Sequence, residues 1–182
     1  MIRRTPYQPW LSRLSAALIS GAVLFSTGCS RRPQAIAPPD VHYGQTDCAG
    51  CGMTVSDERY AAALVTRTPD GEQVARVFDD IGCMVEYERG HPEVGVLAHY
   101  VKDYETHQWL PADRASYVRG DQIHSPMGFG LLAAESAERA EKVARAQSAR
   151  TLDLPGLRAA LQRTALQKPA DSPVTDANAV HP

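Results

Sequence analysis

Cysteine is scarce in this sequence, and no apolar run in it is long. The chain has four cysteines in 182 residues. Only Cys48 and Cys51 have C-x-x-C spacing, so a zinc site made of two such pairs is disfavoured. The longest apolar stretch, residues 14–25, is too short to cross a bilayer as a helix. Basic residues (19) do not outnumber acidic ones (21), which argues against a nucleic-acid partner.

The chemistry of common enzymes is also missing from the sequence. It shows no Ser-His-Asp set, no phosphate-binding loop and no paired catalytic carboxylates. The sequence therefore favours a binding protein over an enzyme.

The N-terminus has the pattern of a bacterial lipoprotein. A basic start precedes the apolar stretch 14–25, as in a secretory signal. The stretch ends in Ser26-Thr27-Gly28-Cys29, which resembles a lipobox in which Ser26 replaces the usual leucine. We predict a signal peptide over residues 1–28 and a lipid on Cys29 that anchors the protein without spanning the membrane. An ordinary signal peptide with a chance cysteine is the alternative.

Further boundaries follow from composition and from the residue after Cys29. That residue is Ser30, not aspartate, which resembles sorting to the outer membrane, so we expect a periplasmic, lipid-anchored protein. Residues 29–46 are rich in proline and polar side chains and predict a tether. Residues 47–151 can form one small folded domain, and residues 152–182 predict a disordered tail.

The pattern within the domain predicts two similar halves. Each half combines short strands with one helix, which indicates an α+β fold of small mixed sheets, each covered by a helix. The turn Thr68-Pro69-Asp70-Gly71 joins the first two strands, and Asp79 is the expected cap of the first helix. In chain order the predicted elements are strands at 60–66 and 73–78, a helix that begins at Asp79 and ends near Gly90, strands at 96–101, 106–111, 115–119 and 128–132, and a helix over 136–147.

The segment CAGCGM offers three kinds of chemistry. Zinc would need further ligands, and Cys83 stands alone. A redox pair normally precedes a helix, but here a loop and a strand are expected to follow. Copper(I) fits better because it prefers thiolate and thioether sulfur, and the glycines beside Cys51 let Cys51 and Met53 aim at one point.

A second methionine lies in a similar turn. Met127 belongs to Ser-Pro-Met-Gly-Phe-Gly, in which proline stiffens the backbone and glycines permit close approach. His124 precedes this turn and is a weaker candidate ligand. Cys83 and Met84 fall on the first predicted helix, where core packing is the expected role.

These segments together resemble a known family. The matching pieces are CGM (51–53), FDDIGCM (78–84), VKDYETHQW (101–109) and DQIHSPMGFGLLA (121–133), in the family's order. They resemble NosL, the copper lipoprotein accessory to nitrous-oxide reductase. The resemblance implies a NosL/MerB-like fold of two ββαβ modules.

The resemblance also implies a function without catalysis. The protein would bind one Cu(I) and pass it to the machinery that assembles nitrous-oxide reductase, through the NosD, NosF and NosY transport complex. Cys51, Met53 and Met127 occupy the implied ligand positions, and Cys48 is a further candidate. Two alternatives stay open: an exported thiol–disulfide oxidoreductase using Cys48 and Cys51, and a structural lipoprotein stapled by a disulfide.

Overall fold

The computed structural model describes residues 36–167. The predicted signal peptide, Cys29 and the first part of the predicted tether lie outside these residues, as do residues 168–182. Within the described part, no helix has both the length and the apolar content needed to cross a bilayer. A 3₁₀ turn at Glu58–Tyr60 comes first. The remaining elements are β1 Ala62–Arg67, β2 Gln73–Phe78, α1 Ile81–Gly90, β3 Gly95–Lys102, β4 Trp109–Pro111, β5 Ser116–Arg119, β6 Leu131–Ala134, α2 Ala137–Ala146, β7 Arg150–Leu152 and α3 Leu154–Gln167.

The first sheet has the strand order β2-β1-β3-β4, and all its pairings are antiparallel. The turn between β1 and β2 uses Gly71, whose φ of 91° suits a residue without a side chain. Strand β1 lies between β2 and β3, and all its residues except Arg67 are buried. Helix α1 packs against β1 and β2. The predicted hairpin is thus confirmed.

The second sheet has the order β6-β5-β7, again antiparallel. With α2 it repeats the order strand, strand, helix, strand of the first module, which confirms the α+β fold of two ββαβ modules. Mixed sheets were expected, but both sheets are antiparallel. The strand predicted at 106–111 was also assigned to the wrong half, because β4 pairs with β3 through Lys102 and Trp109.

Helix α3 contradicts the prediction that residues 152–182 form a disordered tail, at least over Leu154–Gln167. Asp153 begins the helix by accepting the Gly156 N–H at 2.8 Å. Leucines spaced along one side of the helix are buried in the core, which explains its order. The buried residues are Leu154, Leu157, Ala160 and Leu161.

The folded part also begins earlier than residue 47, so the predicted tether is too long. The Trp109 indole N–H donates to the carbonyl of Pro39 at 3.1 Å, and the Tyr100 hydroxyl donates to that of Ile36 at 3.1 Å. Val41 and Tyr43 pack against the core. The polar composition of this segment predicted a free linker. The aromatic residues that hold it, Tyr100 and Trp109, lie far away in the sequence, so local composition does not reveal them.

Asp103 joins the two sheets. Its side chain is buried, with Oδ1 accepting from the Thr106 N–H at 2.7 Å and Oδ2 from the Glu135 N–H at 2.7 Å. Tyr104 N–H donates to Ala133 of β6. Burial opposes ionisation of this carboxyl, but the hydrogen bonds outweigh burial and hold its pKa below the ordinary value.

Candidate metal centre

Three cysteine sulfurs converge at one end of the first module. The sulfur atoms of Cys48, Cys51 and Cys83 all lie within 4.8 Å of one another, and all three cysteines are free thiols. Cys48 is 2% exposed and Cys83 is 7% exposed, whereas Cys51 is open to solvent. Cys83 was expected to be a core residue only. It is buried as expected, but it also completes this cluster.

The C-x-x-C turn owes its shape to backbone hydrogen bonds and to two glycines. The Cys48 N–H donates to Met53 O at 2.7 Å, and the Gly52 N–H donates to Cys48 O at 2.9 Å. Gly52 has a φ of 74°, in the left-handed region that glycine adopts without strain. A side chain at Gly50 would begin 3.3 Å from the carbonyl of Cys83, so its absence lets the turn close on α1. As predicted, no helix follows the pair.

The start of helix α1 places Cys83. Asp80, not the predicted Asp79, caps the helix by accepting the Gly82 N–H at 2.8 Å. Asp79 instead accepts the Ser56 N–H at 2.9 Å, which fastens the segment after the C-x-x-C turn. Cys83 therefore lies in the first helical turn, beside the end of β2. The Ala49 N–H donates to the Val77 carbonyl, so the C-x-x-C turn lies beside the same end of β2. The predicted strand just before Cys83 was a sequence signal for its position, but it did not show that Cys48 lies at that end.

The cluster favours one sulfur as the anion. The Cys83 thiol donates to the sulfur of Cys48, and this bond lowers the pKa of Cys48 to about 4, although burial opposes the shift. Backbone N–H groups of Asp79, Cys51 and Gly50 add to the lowering. The pKa of Cys83 is raised in turn because its proton is held in that bond. Cys51 is exposed as a residue, but partial desolvation of its thiol, together with the neighbouring sulfur of Cys48, raises its pKa.

The two candidate methionines flank this region differently. Met53 is 58% exposed and lines a cleft of about 620 Å³. His124 also lines this cleft, together with Asp79, and does not belong to the sulfur cluster. Met127 is partly buried and packs against the core that contains Cys48.

The loop that carries Met127 is held against the start of α1. The Met127 N–H donates to Oδ2 of Asp80 at 3.3 Å, on the carboxylate that caps the helix. The ring of Phe129 lies against Gly82, so closely that a side chain at Gly82 would begin 2.1 Å from the ring. One helix end thus positions both Cys83 and the loop of Met127.

Such a cluster suits a soft metal ion. Thiolate sulfur selects ions such as Cu(I), and a carboxylate or histidine ligand is not required for them. Within residues 36–167, no histidine or carboxylate joins the three sulfurs, so the four protein ligands of a structural zinc site are not assembled there.

Two antiparallel ββαβ modules with converging thiols define a small α+β domain built around a sulfur cluster. The family model of NosL matches residues 41–160, and the chain belongs to the NosL family. Among solved structures, the chain is similar to the copper chaperone NosL from Shewanella denitrificans, with a TM-score of 0.54 and 20% identity. That match covers 67% of this chain and 93% of the other, and at this identity it shows the fold alone. No curated protein matches the sequence.

Proposed function

We propose that this protein is a copper chaperone that carries one Cu(I) ion and does not act as an enzyme. The observation that carries the proposal is the approach of Cys48, Cys51 and Cys83 to within 4.8 Å of one another. Membership of the NosL family supports it, as does the solved copper chaperone with the same fold. Soft monovalent copper is the cargo that three thiolates suit best.

Three thiolates form the main site in this proposal. Low coordination leaves the ion open to attack by a ligand from a partner, so that copper passes on without being free. The exposed sulfur of Cys51 is the point of transfer, because Cys48 and Cys83 are buried. Met53 follows Cys51 by two residues and is exposed in its cleft, and it assists transfer with a weaker neutral sulfur. Met127 remains a candidate ligand from the second module.

Membership of the NosL family supports a proposal for the destination of the copper. We propose delivery to the assembly of the copper centres of nitrous-oxide reductase, through the NosD, NosF and NosY transport complex. We further propose that a lipid on Cys29 holds the protein in the periplasm at the outer membrane. The lipobox-like sequence before Cys29 supports this placement.

A competition titration tests copper binding. The full-length chain in detergent, with Cys29→Ser so that only the clustered thiols remain, is reduced and titrated anaerobically with Cu(I) against a coloured chelator. We expect a one-to-one site. Cys51→Ser or Cys83→Ser should weaken it by more than the roughly 10–100-fold typical of losing a supporting residue.

Methionine variants separate the thioethers from the thiolates. Met53→Leu and Met127→Leu should each weaken Cu(I) binding by roughly tenfold, equal to about 1.4 kcal/mol. Met84→Leu is the matched control, because Met84 is fully buried in the core of the same module and should leave copper binding unchanged. Failure of the reduced protein to compete with the chelator would refute the chaperone proposal. Full affinity in Cys83→Ser would refute the three-thiolate site.

A further inference from the structure

The three clustered cysteines differ in their exposure to solution. Cys51 is exposed, whereas Cys48 and Cys83 are buried. The sulfurs are at most 4.8 Å apart, and a disulfide brings two of them to about 2.05 Å, so a modest movement is enough to join a pair. An oxidant in solution therefore meets Cys51 first, with two further thiols close to it.

The local backbone decides which thiol Cys51 joins. Cys51 lies between two glycines, and a side chain at Gly52 would meet nothing within 4 Å, so this part of the turn has room to move. Cys48 belongs to the same turn. Cys83 instead sits in the first turn of α1, which the Asp80 cap fixes in place. Cys48 and Cys51 can thus close together without displacing the helix.

We propose that Cys48 and Cys51 form a reversible disulfide that switches off copper binding and leaves Cys83 as a single free thiol. This inference rests on the proposed function, because the switched property is the three-thiolate copper site. Copper and oxidation would then exclude each other, since each occupies the same sulfur atoms.

The chemistry balances with a small disulfide as the oxidant. Cys51 loses its proton and attacks one sulfur of that disulfide as the thiolate. It forms a mixed disulfide, and the small thiolate that leaves takes up a proton and becomes the first small thiol. The Cys48 thiolate then attacks the Cys51 sulfur, forms the internal bond and releases the second small thiol. The two cysteines lose two electrons and two protons, and the oxidant gains them as two thiols. A dithiol reductant reverses both steps.

Thiol mapping tests the switch. The full-length chain carrying Cys29→Ser is treated with oxidised glutathione, with or without prior loading with Cu(I), and its free thiols are alkylated and located by mass spectrometry. We expect the copper-free protein to retain only the Cys83 thiol and to lose copper uptake until dithiothreitol is added. The copper-loaded protein should retain all three thiols.

Two variants distinguish the partners of Cys51. Cys83→Ser should still form the internal disulfide, whereas Cys48→Ser should stop at a glutathione adduct on Cys51. A Cys51–Cys83 bond that forms in Cys48→Ser as fast as the wild-type bond would overturn the pairing. Persistence of all three thiols in the copper-free wild type would overturn the switch.

The copper titration tells the two failures apart. A reduced protein that binds Cu(I) while its thiols resist oxidation would contradict the switch alone. A reduced protein that binds no Cu(I) would contradict the proposed function, and the switch would fall with it.

Discussion

The contact between Gly82 and Phe129 makes a sharp prediction about stability. In Gly82→Ala, the new methyl group would begin 2.1 Å from Cγ of Phe129 and 2.4 Å from both Cδ atoms. Ordinary contact starts at 3.4 Å, so the ring must retreat by more than an ångström. Overpacking of this kind costs about 1–3 kcal/mol. Alanine recovers up to about 1 kcal/mol through its helix propensity, and we expect a net loss of about 1–2 kcal/mol.

Gly90 provides the matched control, because it belongs to the same helix. A side chain there would meet nothing within 4 Å. Gly90→Ala should therefore be neutral or stabilising by up to about 1 kcal/mol. Urea unfolding of both variants, with the denaturation midpoint as the readout, should place Gly82→Ala below wild type and Gly90→Ala at or above it.

A second substitution tests the cause of the loss. Phe129→Leu replaces the ring by a smaller side chain. It should lower the free energy of unfolding by less in the Gly82→Ala background than in wild type, and we expect the two effects to differ by a coupling energy of about 0.5–3 kcal/mol. Equal stability of Gly82→Ala and Gly90→Ala would refute the reasoning, since the ring would then not be held against the helix.

Two further predictions concern α3 and the junction of the sheets. Leu157→Ala should lower the free energy of unfolding by about 2–5 kcal/mol because Leu157 is fully buried. Leu166 is exposed, so Leu166→Ala should change this free energy by less than about 0.5 kcal/mol. Equally small effects of both substitutions in urea unfolding would argue against packing of α3. Asp103→Asn should cost about 1–3 kcal/mol near neutral pH, because an amide nitrogen cannot accept the backbone N–H that one carboxylate oxygen accepts. The lowered pKa of Asp103 stabilises the wild type above the ordinary carboxyl pKa, and this contribution is lost as pH falls through the lowered value, so unfolding at a series of pH values should show the difference shrinking in acid. A constant difference would contradict this role.

Local features of the fold were predictable from the sequence. The turn at Thr68–Gly71 and the alternating residues after it predicted the β1–β2 hairpin, because both signals act over a few neighbouring residues. The helix predicted over 136–147 likewise matches α2, which has Ser136 as its N-cap and Ala137 as its first residue. The C-x-x-C turn and its glycines indicated the place of two of the three clustered sulfurs.

Features that depend on distant contacts were missed. Strand β4 was given to the wrong module because its partner, β3, is recognised only once the chain folds back. Cys83 was interpreted as a core residue because helical spacing indicates which residues are buried. The same spacing does not show which other sulfur atoms lie close by in the fold. The tail prediction failed over α3 because composition does not show that Leu154, Leu157 and Leu161 are buried against the core.

The docked segment that begins at Ile36 has a consequence for the proposed lipid anchor. Ile36 and Pro39 are already held by Tyr100 and Trp109, so only residues 29–35 would separate this segment from the proposed lipid on Cys29. Fully extended, that link reaches about 25 Å at most. If the proposed lipid anchor and copper transfer hold, the carrier would search only a thin layer above its membrane, and it would meet only partners that reach that layer.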